Sequence, residues 1–143
     1  MKVRIKTQDG KALFYETVWA AGFDFKCSED YTIEPGDFAL VETGTVVEIP
    51  YGYMLQIQPR SSTYKKHGLM QANGVGIIDS DYRGETDSIK FGYINMSKIT
   101  QVIEKGTRIW QWVFIKVEQA DFEIVDSMWD NATRGGFGTT WVK

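Results

Sequence analysis

At 143 residues the chain has the size of one ordinary domain and is long enough to bury a real core. Nineteen acidic residues against sixteen basic ones leave a net charge of −3, which gives no support to a duplex nucleic-acid binder with a basic face. A single cysteine, Cys27, and a single histidine, His67, exclude an internal disulfide and a histidine-rich zinc cluster.

The predicted elements, in chain order, are nearly all strands. The first residues, Met1-Lys2-Val3-Arg4-Ile5-Lys6, alternate at Val3 and Ile5 and lack the apolar core of a signal peptide. Turn chemistry at Glu34-Pro35-Gly36-Asp37 and Pro50-Tyr51-Gly52 separates short runs. Tyr53, Leu55 and Ile57 then alternate with Met54, Gln56 and Gln58. Ser61 to His67 is the one predicted helix, with Ser61 or Ser62 available as its N-cap. Another turn, Glu104-Lys105-Gly106-Thr107, precedes a strand in which Ile109, Gln111 and Val113 oppose Trp110, Trp112 and Phe114. That strand is apolar on both faces, so it belongs either in the middle of the fold or against another subunit. The Gly- and Thr-rich end after Trp129-Asp130-Asn131 predicts a mobile arm over about residues 130–143. No apolar run approaches the ~20 residues of a membrane span. The expectation is an all-β protein: a single domain over residues 1–143, a distorted jelly roll or β-sandwich, with one short helix and a flexible C-terminal arm. It is expected to be soluble and cytoplasmic, binding neither nucleic acid nor membrane.

Three segments carry the chemistry. Arg60-Ser61-Ser62 places a guanidinium and two hydroxyls at a helix start, suited to an anion or simply to capping. Asn73-Gly74-Val75-Gly76-Ile77-Ile78-Asp79-Ser80-Asp81-Tyr82-Arg83-Gly84 combines glycine-freed backbone, a carboxylate and an aromatic ring. A hairpin here could read a uracil edge with its backbone, and Asp79 at its rim would be a partly desolvated base. The competing reading is a β-turn whose Asp79, Ser80 and Asp81 only form the turn. Arg134-Gly135-Gly136-Phe137-Gly138-Thr139-Thr140 is either a disordered tail or an arm that closes on a nucleotide, its aromatic stacking on the base.

With Ala20-Ala21-Gly22-Phe23-Asp24-Phe25 and Gly106-Thr107-Arg108-Ile109-Trp110-Gln111, these segments resemble, in order, the five motifs of the trimeric dUTP diphosphatase (dUTPase) family. The resemblance runs from about residue 20 to 140. Phe25 replaces the family's leucine, Thr107 stands where aspartate is common, and Trp110 where a small residue is. The fifth motif is two residues shorter than usual between Arg134 and Phe137.

The resemblance implies hydrolysis of dUTP to dUMP and pyrophosphate, lowering dUTP and supplying dUMP for thymidylate synthesis. Asp79 then aligns with the general base that activates water for attack on the α-phosphorus. Asn73, with the backbone of Gly76, Ile77 and Ile78, aligns with the uracil contacts, and Tyr82 with the ring beneath the deoxyribose. Arg60, Ser61, Ser62 and Gln111 align with triphosphate ligands. Arg134, Gly138 and Thr139 align with contacts at the γ-phosphate end, and Phe137 with the aromatic lid. Mg2+ would be held by the phosphates and water, with Asp24 at most behind the ion's water ligands. The family also implies a homotrimer with shared active sites. Two neighbouring readings are a dCTP deaminase, which needs a glutamate where Ile89 stands, and a phage-type dUTPase with an added regulatory protein-binding role.

Overall fold

The computed structural model describes residues 1–128 and 135–136. Among these the elements are β1 (Ile5–Thr7), β2 (Phe23–Lys26), β3 (Tyr31–Ile33), β4 (Phe38–Glu42), β5 (Thr45–Val47), β6 (Tyr53–Pro59), α1 (Thr63–His67), β7 (Leu69–Gln71), β8 (Gly76–Ile78), β9 (Lys90–Asn95), β10 (Gln101–Ile103) and β11 (Arg108–Lys116). The strands form four small antiparallel sheets: β1 with β5, β3 with β10, β2-β11-β6-β8, and β4-β9-β7. Strands distant in sequence pair, and the chain passes repeatedly between sheets, as in a jelly roll. The all-β expectation holds.

The three turns form where the sequence places them. In each, the fourth residue's N–H donates to the first residue's carbonyl: Asp37 to Glu34 at 3.0 Å, Tyr53 to Pro50 at 3.1 Å and Thr107 to Glu104 at 3.0 Å. Gly52, at φ +77°, supplies the left-handed third position that launches β6.

β11 is the centre of the largest sheet, hydrogen-bonded to β2 on one side and β6 on the other. Its pairing with β2 slips between Arg108 and Trp110, so Ile109 is an extra residue bulged out of the ladder. The slip breaks the alternation and lets the successive Ile109 and Trp110 both be buried, with Trp112 following on the inner face. Trp112 stacks on Phe25, ring centroids 3.7 Å apart, and Phe91 meets both tryptophans edge-on or tilted. The doubly apolar strand is therefore accounted for inside one chain, and its tryptophans give no reason to invoke a subunit contact.

α1 starts two residues later than predicted. Ser62 occupies the N-cap position but makes no side-chain cap bond. The neighbouring Thr63 anchors the helix start instead, its Oγ1 donating to the Ile109 carbonyl at 2.9 Å.

Candidate active site

The first, second and fourth sequence segments meet at one end of the large sheet. Gly22 lies against β11, where a Cβ would come within 3.0 Å of the Trp112 carbonyl oxygen. This close approach brings β2 into register so that Asp24 faces Gln111. The Asp24 side chain is only 13% exposed, and its two oxygens meet Arg60 Nε at 3.1 Å and Arg108 Nη1 at 3.3 Å. Arg108 also pairs with Glu16, and Arg60 Nη1 donates to the Arg108 carbonyl at 3.4 Å. Asp24 is thus the anchor of two guanidinium groups. Two carboxylates and two arginines leave this cluster neutral.

The bulge at Ile109 explains why Arg60 is held there. The Ile109 carbonyl, freed from the regular ladder, receives the Arg60 N–H at 3.1 Å, Thr63 Oγ1–H at 2.9 Å and the Tyr93 hydroxyl at 3.1 Å. Gln111 Nε2 donates to the Pro59 carbonyl at 3.3 Å. Ser61 is exposed and Ser62 half-buried. Sequence reasoning passed over Arg108 as a charge partner and missed Thr63. The bulge that gives both their roles has no residue signature beyond two adjacent apolar side chains. A cavity of about 520 Å³ lies beside the cluster, between the segment after β1 and β2, with Asp24, Arg108, Phe14 and Cys27 among its lining. Burial pushes the Cys27 thiol up to about 12, so it is not a nucleophile at neutral pH.

The third segment lies elsewhere. It is not a two-stranded hairpin: β7 pairs with β9 in one sheet and β8 pairs with β6 in another, so the turn over 72–75 crosses between sheets. Gly74, at φ +68° with open space around it, makes that turn possible. Gly76 has a packing role beside the ligand approach expected of it. A Cβ there would stand 2.7 Å from Phe91 Cε1 and 3.3 Å from Ile57 Cβ, so its smallness lets β8 lie on the core. Gln71, buried to 4% exposure, donates from Nε2 to the carbonyls of Gly74 at 3.1 Å and Ile57 at 3.5 Å.

β8 is the edge of its sheet. One side of its backbone pairs with β6 and the other side, with its own N–H and C=O groups, faces outward. Asn73 and Ile77 are exposed, and Ile78 is half-buried. Asp79 is exposed in the single chain, rather than partly desolvated as expected. Tyr82 is 40% exposed, with its hydroxyl donating to the Ser88 carbonyl at 3.3 Å. Next to it, Arg83 turns away, over the Tyr51 ring at 4.6 Å from the centroid and towards Glu48.

The two groups are far apart within one chain. Ile78 stands opposite Leu55 on β6, and Arg60 follows five residues further along that strand's line. At ~3.3 Å per residue this is about 17 Å along the sheet. Arg60 also turns across β11 towards Asp24, away from the β8 edge. Arg134, Phe137, Gly138 and Thr139 lie outside the described residues.

Comparison with known proteins gives this arrangement its family. The dUTPase family model matches residues 8–141. The chain belongs to the dUTPase family. It is 45% identical to the deoxyuridine 5'-triphosphate nucleotidohydrolase of Nautilia profundicola, over 98% of this chain and 99% of the relative. The crystal structure of the dUTPase from Streptococcus mutans superposes with a TM-score of 0.76 at 33% identity, covering 82% of this chain and 98% of that one. A dUTPase variant from Staphylococcus bacteriophage 80alpha, solved with dUpNHpp, shares the fold along 99% of both chains at a TM-score of 0.83 and 22% identity. The dUTPase motifs thus fall into two groups here, three at the arginine cluster and one along the β8 edge, with the last largely outside the described residues.

Among the described residues, no group of three or more His, Cys, Asp or Glu side chains stands close enough to hold a metal ion. Both Asp24 oxygens already face arginines. This donor set fits an Mg2+ ion that takes its ligands from phosphates and water, and does not fit an all-protein cage.

Proposed function

We propose that the protein hydrolyses dUTP to dUMP and pyrophosphate, with Asp79 as the general base and with sites shared between the subunits of a homotrimer. The observation that carries this reading is the outward-facing edge of β8, which leads without a break into the exposed Asp79 and, three residues on, the exposed Tyr82 ring. Family membership and the nucleotidohydrolase relatives support the substrate.

A uracil lying along Gly76, Ile77 and Ile78, next to Asn73, meets alternating backbone donors and acceptors. Cytosine offers the reversed pattern at the same edge and leaves each mismatched group unpaired, at about 1–3 kcal/mol apiece. Tyr82 packs its ring beneath the deoxyribose and leaves no room for a 2′-hydroxyl. The Asp79 carboxylate takes a proton from water as the water oxygen bonds to the α-phosphorus. The bond from that phosphorus to the bridging oxygen breaks, and pyrophosphate departs with the electron pair. Arg60, Ser61, Ser62 and Gln111 bind the triphosphate, joined by Arg134, Gly138 and Thr139, while Phe137 covers the base. Bound Mg2+ would offset part of the charge on the phosphates.

The separation of Asp79 from Arg60 supports the shared site. The β8 edge and Arg60 stand about 17 Å apart along the sheet, and the Arg60 side chain turns towards Asp24 and away from that edge, which favours drawing the two groups on one nucleotide from different chains. A neighbour's arginine cluster facing the β8 edge meets the requirement, and the same contact removes Asp79 from water. The deaminase reading loses ground on Ile89, which is fully buried in the core where a catalytic glutamate would have to stand.

The test is incubation with dUTP, dCTP, dTTP and UTP in Mg2+, following pyrophosphate and base identity. The expected result is cleavage of dUTP with the others poor, refused by the edge pattern, the 5-methyl group and the 2′-hydroxyl respectively. Ammonia released from dCTP, or equal turnover of all four, would refute it.

A further inference from the structure

Beyond Ala72, the turn over 72–75 has little backbone pairing to hold it in place. Ala72, Asn73, Gly74 and Val75 are exposed; Ala72 N–H still donates to the Gly92 carbonyl of β9 at 2.9 Å, but beyond it the backbone bonds are local, Gly74 N–H to Gln71 at 3.3 Å and Val75 N–H to Asn73 at 2.8 Å. It also sits where the chain changes sheets, so no ladder runs from β7 into β8 to stiffen it. Among the described residues, the side chain that spans this junction is Gln71. Its backbone belongs to β7, opposite Tyr93 of β9, while its amide reaches the Ile57 carbonyl of β6 in the other sheet and the Gly74 carbonyl of the turn. Both contacts are carbonyls, which fixes Nε2 as the atom facing them. Oε1 is buried without a partner among the described residues, so among them the amide's polar task is these two carbonyls.

Ile57 is also the ladder partner of Gly76. Gln71 therefore ties the turn to the very residue against which β8 begins. A slip of the turn would rotate the backbone of Gly76–Ile78 and displace the donors and acceptors that face outward. Recognition through backbone groups depends on their positions being fixed beforehand, since a backbone free to shift can satisfy the wrong base as well as the right one.

We propose that Gln71 is a positioning residue for base selection: its amide clamps the turn so that the outer edge of β8 presents one fixed pattern to the base. This rests on the reading that uracil binds along Gly76–Ile78. Asp79 and the phosphate cluster are not touched by the amide, so the clamp governs binding and discrimination more than the chemical step.

The test is Gln71→Leu, with Gln71→Met as a second variant of similar volume lacking the amide. Both take the amide donor from the Ile57 and Gly74 carbonyls and with it an acceptor unpartnered among the described residues, so Tm is followed beside the kinetics. The expected result is a KM for dUTP raised about tenfold, kcat within about threefold of the parent, and a dUTP-over-dCTP ratio of kcat/KM lowered about tenfold or more. Amide exchange at Gly74 to Gly76 should quicken. Ile33→Val on β3, remote from the turn, controls for general loosening of the core. If it reproduces the same KM and selectivity changes at equal loss of Tm, or if both Gln71 variants keep the parent's values, the proposal is overturned. Asn73→Ala separates the two levels. A selectivity change there with none in the Gln71 variants rejects the clamp alone, whereas no change in any of them rejects base binding at this edge as well.

Discussion

Two inactive variants should restore each other. Asp79→Asn keeps shape and hydrogen bonding but takes no proton, so turnover falls by ~10²-fold or more while the nucleotide still binds. Arg60→Ala removes a phosphate ligand at the other end of the sheet, and Asp24 keeps Arg108 as its partner, so the fold should tolerate the loss. On the shared-site proposal, with the end of β8 and Arg60 about 17 Å apart along the sheet, one nucleotide would take Asp79 and Arg60 from different subunits. Refolded together in equal amounts, a site is intact when its Asp79 comes from the Arg60→Ala chain and its Arg60 from the Asp79→Asn chain. Random assembly makes that about one site in four. Pyrophosphate release should therefore recover to roughly a quarter of the parent, far above the ~1% of either variant alone. Native mass spectrometry confirms that mixed trimers form. A mixture no more active than its components, with mixing confirmed, would refute the shared site and require both groups to act within one chain. The same logic with Asp79→Asn and a chain ending at Thr133 asks whether the segment from Arg134 onward serves a neighbour.

Gly76→Ala would force a methyl against the Phe91 ring, which is buried between the tryptophans and has little room to move. A loss of about 1–3 kcal/mol in denaturant unfolding is expected, and an unchanged midpoint would mean that β8 shifts freely. Tyr82→Ala should open space for a 2′-hydroxyl and raise UTP cleavage relative to dUTP, whereas an unchanged ratio would move sugar selection to another residue.

Strand content and turns were legible because both are local. Period-two alternation marked β6 and β11, and Gly or Pro at defined offsets marked the turns. What stayed hidden depends on how strands distant in sequence meet. Ile109 reads as one more apolar residue, yet the slip between Arg108 and Trp110 makes its carbonyl the anchor for Arg60, Thr63 and Tyr93. Ile109 and Val113 opposite Trp110, Trp112 and Phe114 suggested a strand in the middle of the fold or against another subunit; it lies between β2 and β6, and the bulge at Ile109 lets Ile109 and Trp110 both be buried. Gly76 suggested a ligand-facing glycine because it sits in a motif, and its second task, making room for the Phe91 ring fifteen residues away in sequence, gave no local signal. Gln71 carried no signal at all, since a lone glutamine before a turn is ordinary and only the meeting of two sheets gives its amide a task. Asp79 was expected at the rim of a hairpin and instead follows the edge strand β8. Its side chain is exposed in the single chain, and the desolvation expected of it is absent there.

The charge balance of the arginine cluster leads to a further expectation about metal. Arg60 and Arg108 face Asp24 and Glu16, so the cluster is neutral before any ligand arrives, in a chain whose net charge is −3. A nucleoside triphosphate brings roughly four negative charges near neutral pH. At 4 Å each pair of unit charges interacts by about 4 kcal/mol in a surface environment. Two arginines already engaged by carboxylates cannot offset that load, and a divalent cation bound to the phosphates can take up half of it. Chelating Mg2+ with EDTA should thus lower kcat/KM by about tenfold or more, with recovery on adding excess Mg2+. Because no described acidic cluster offers a cage, the ion should arrive with the nucleotide. Mg2+ alone should leave Tm where it was, while Mg2+ with dUpNHpp should raise it, since only a ligand that binds the folded state stabilises it. A rise in Tm with Mg2+ alone would show that the protein holds the ion itself. Full activity in EDTA would show that the arginines suffice, and that the carboxylates facing them give way when the phosphates bind.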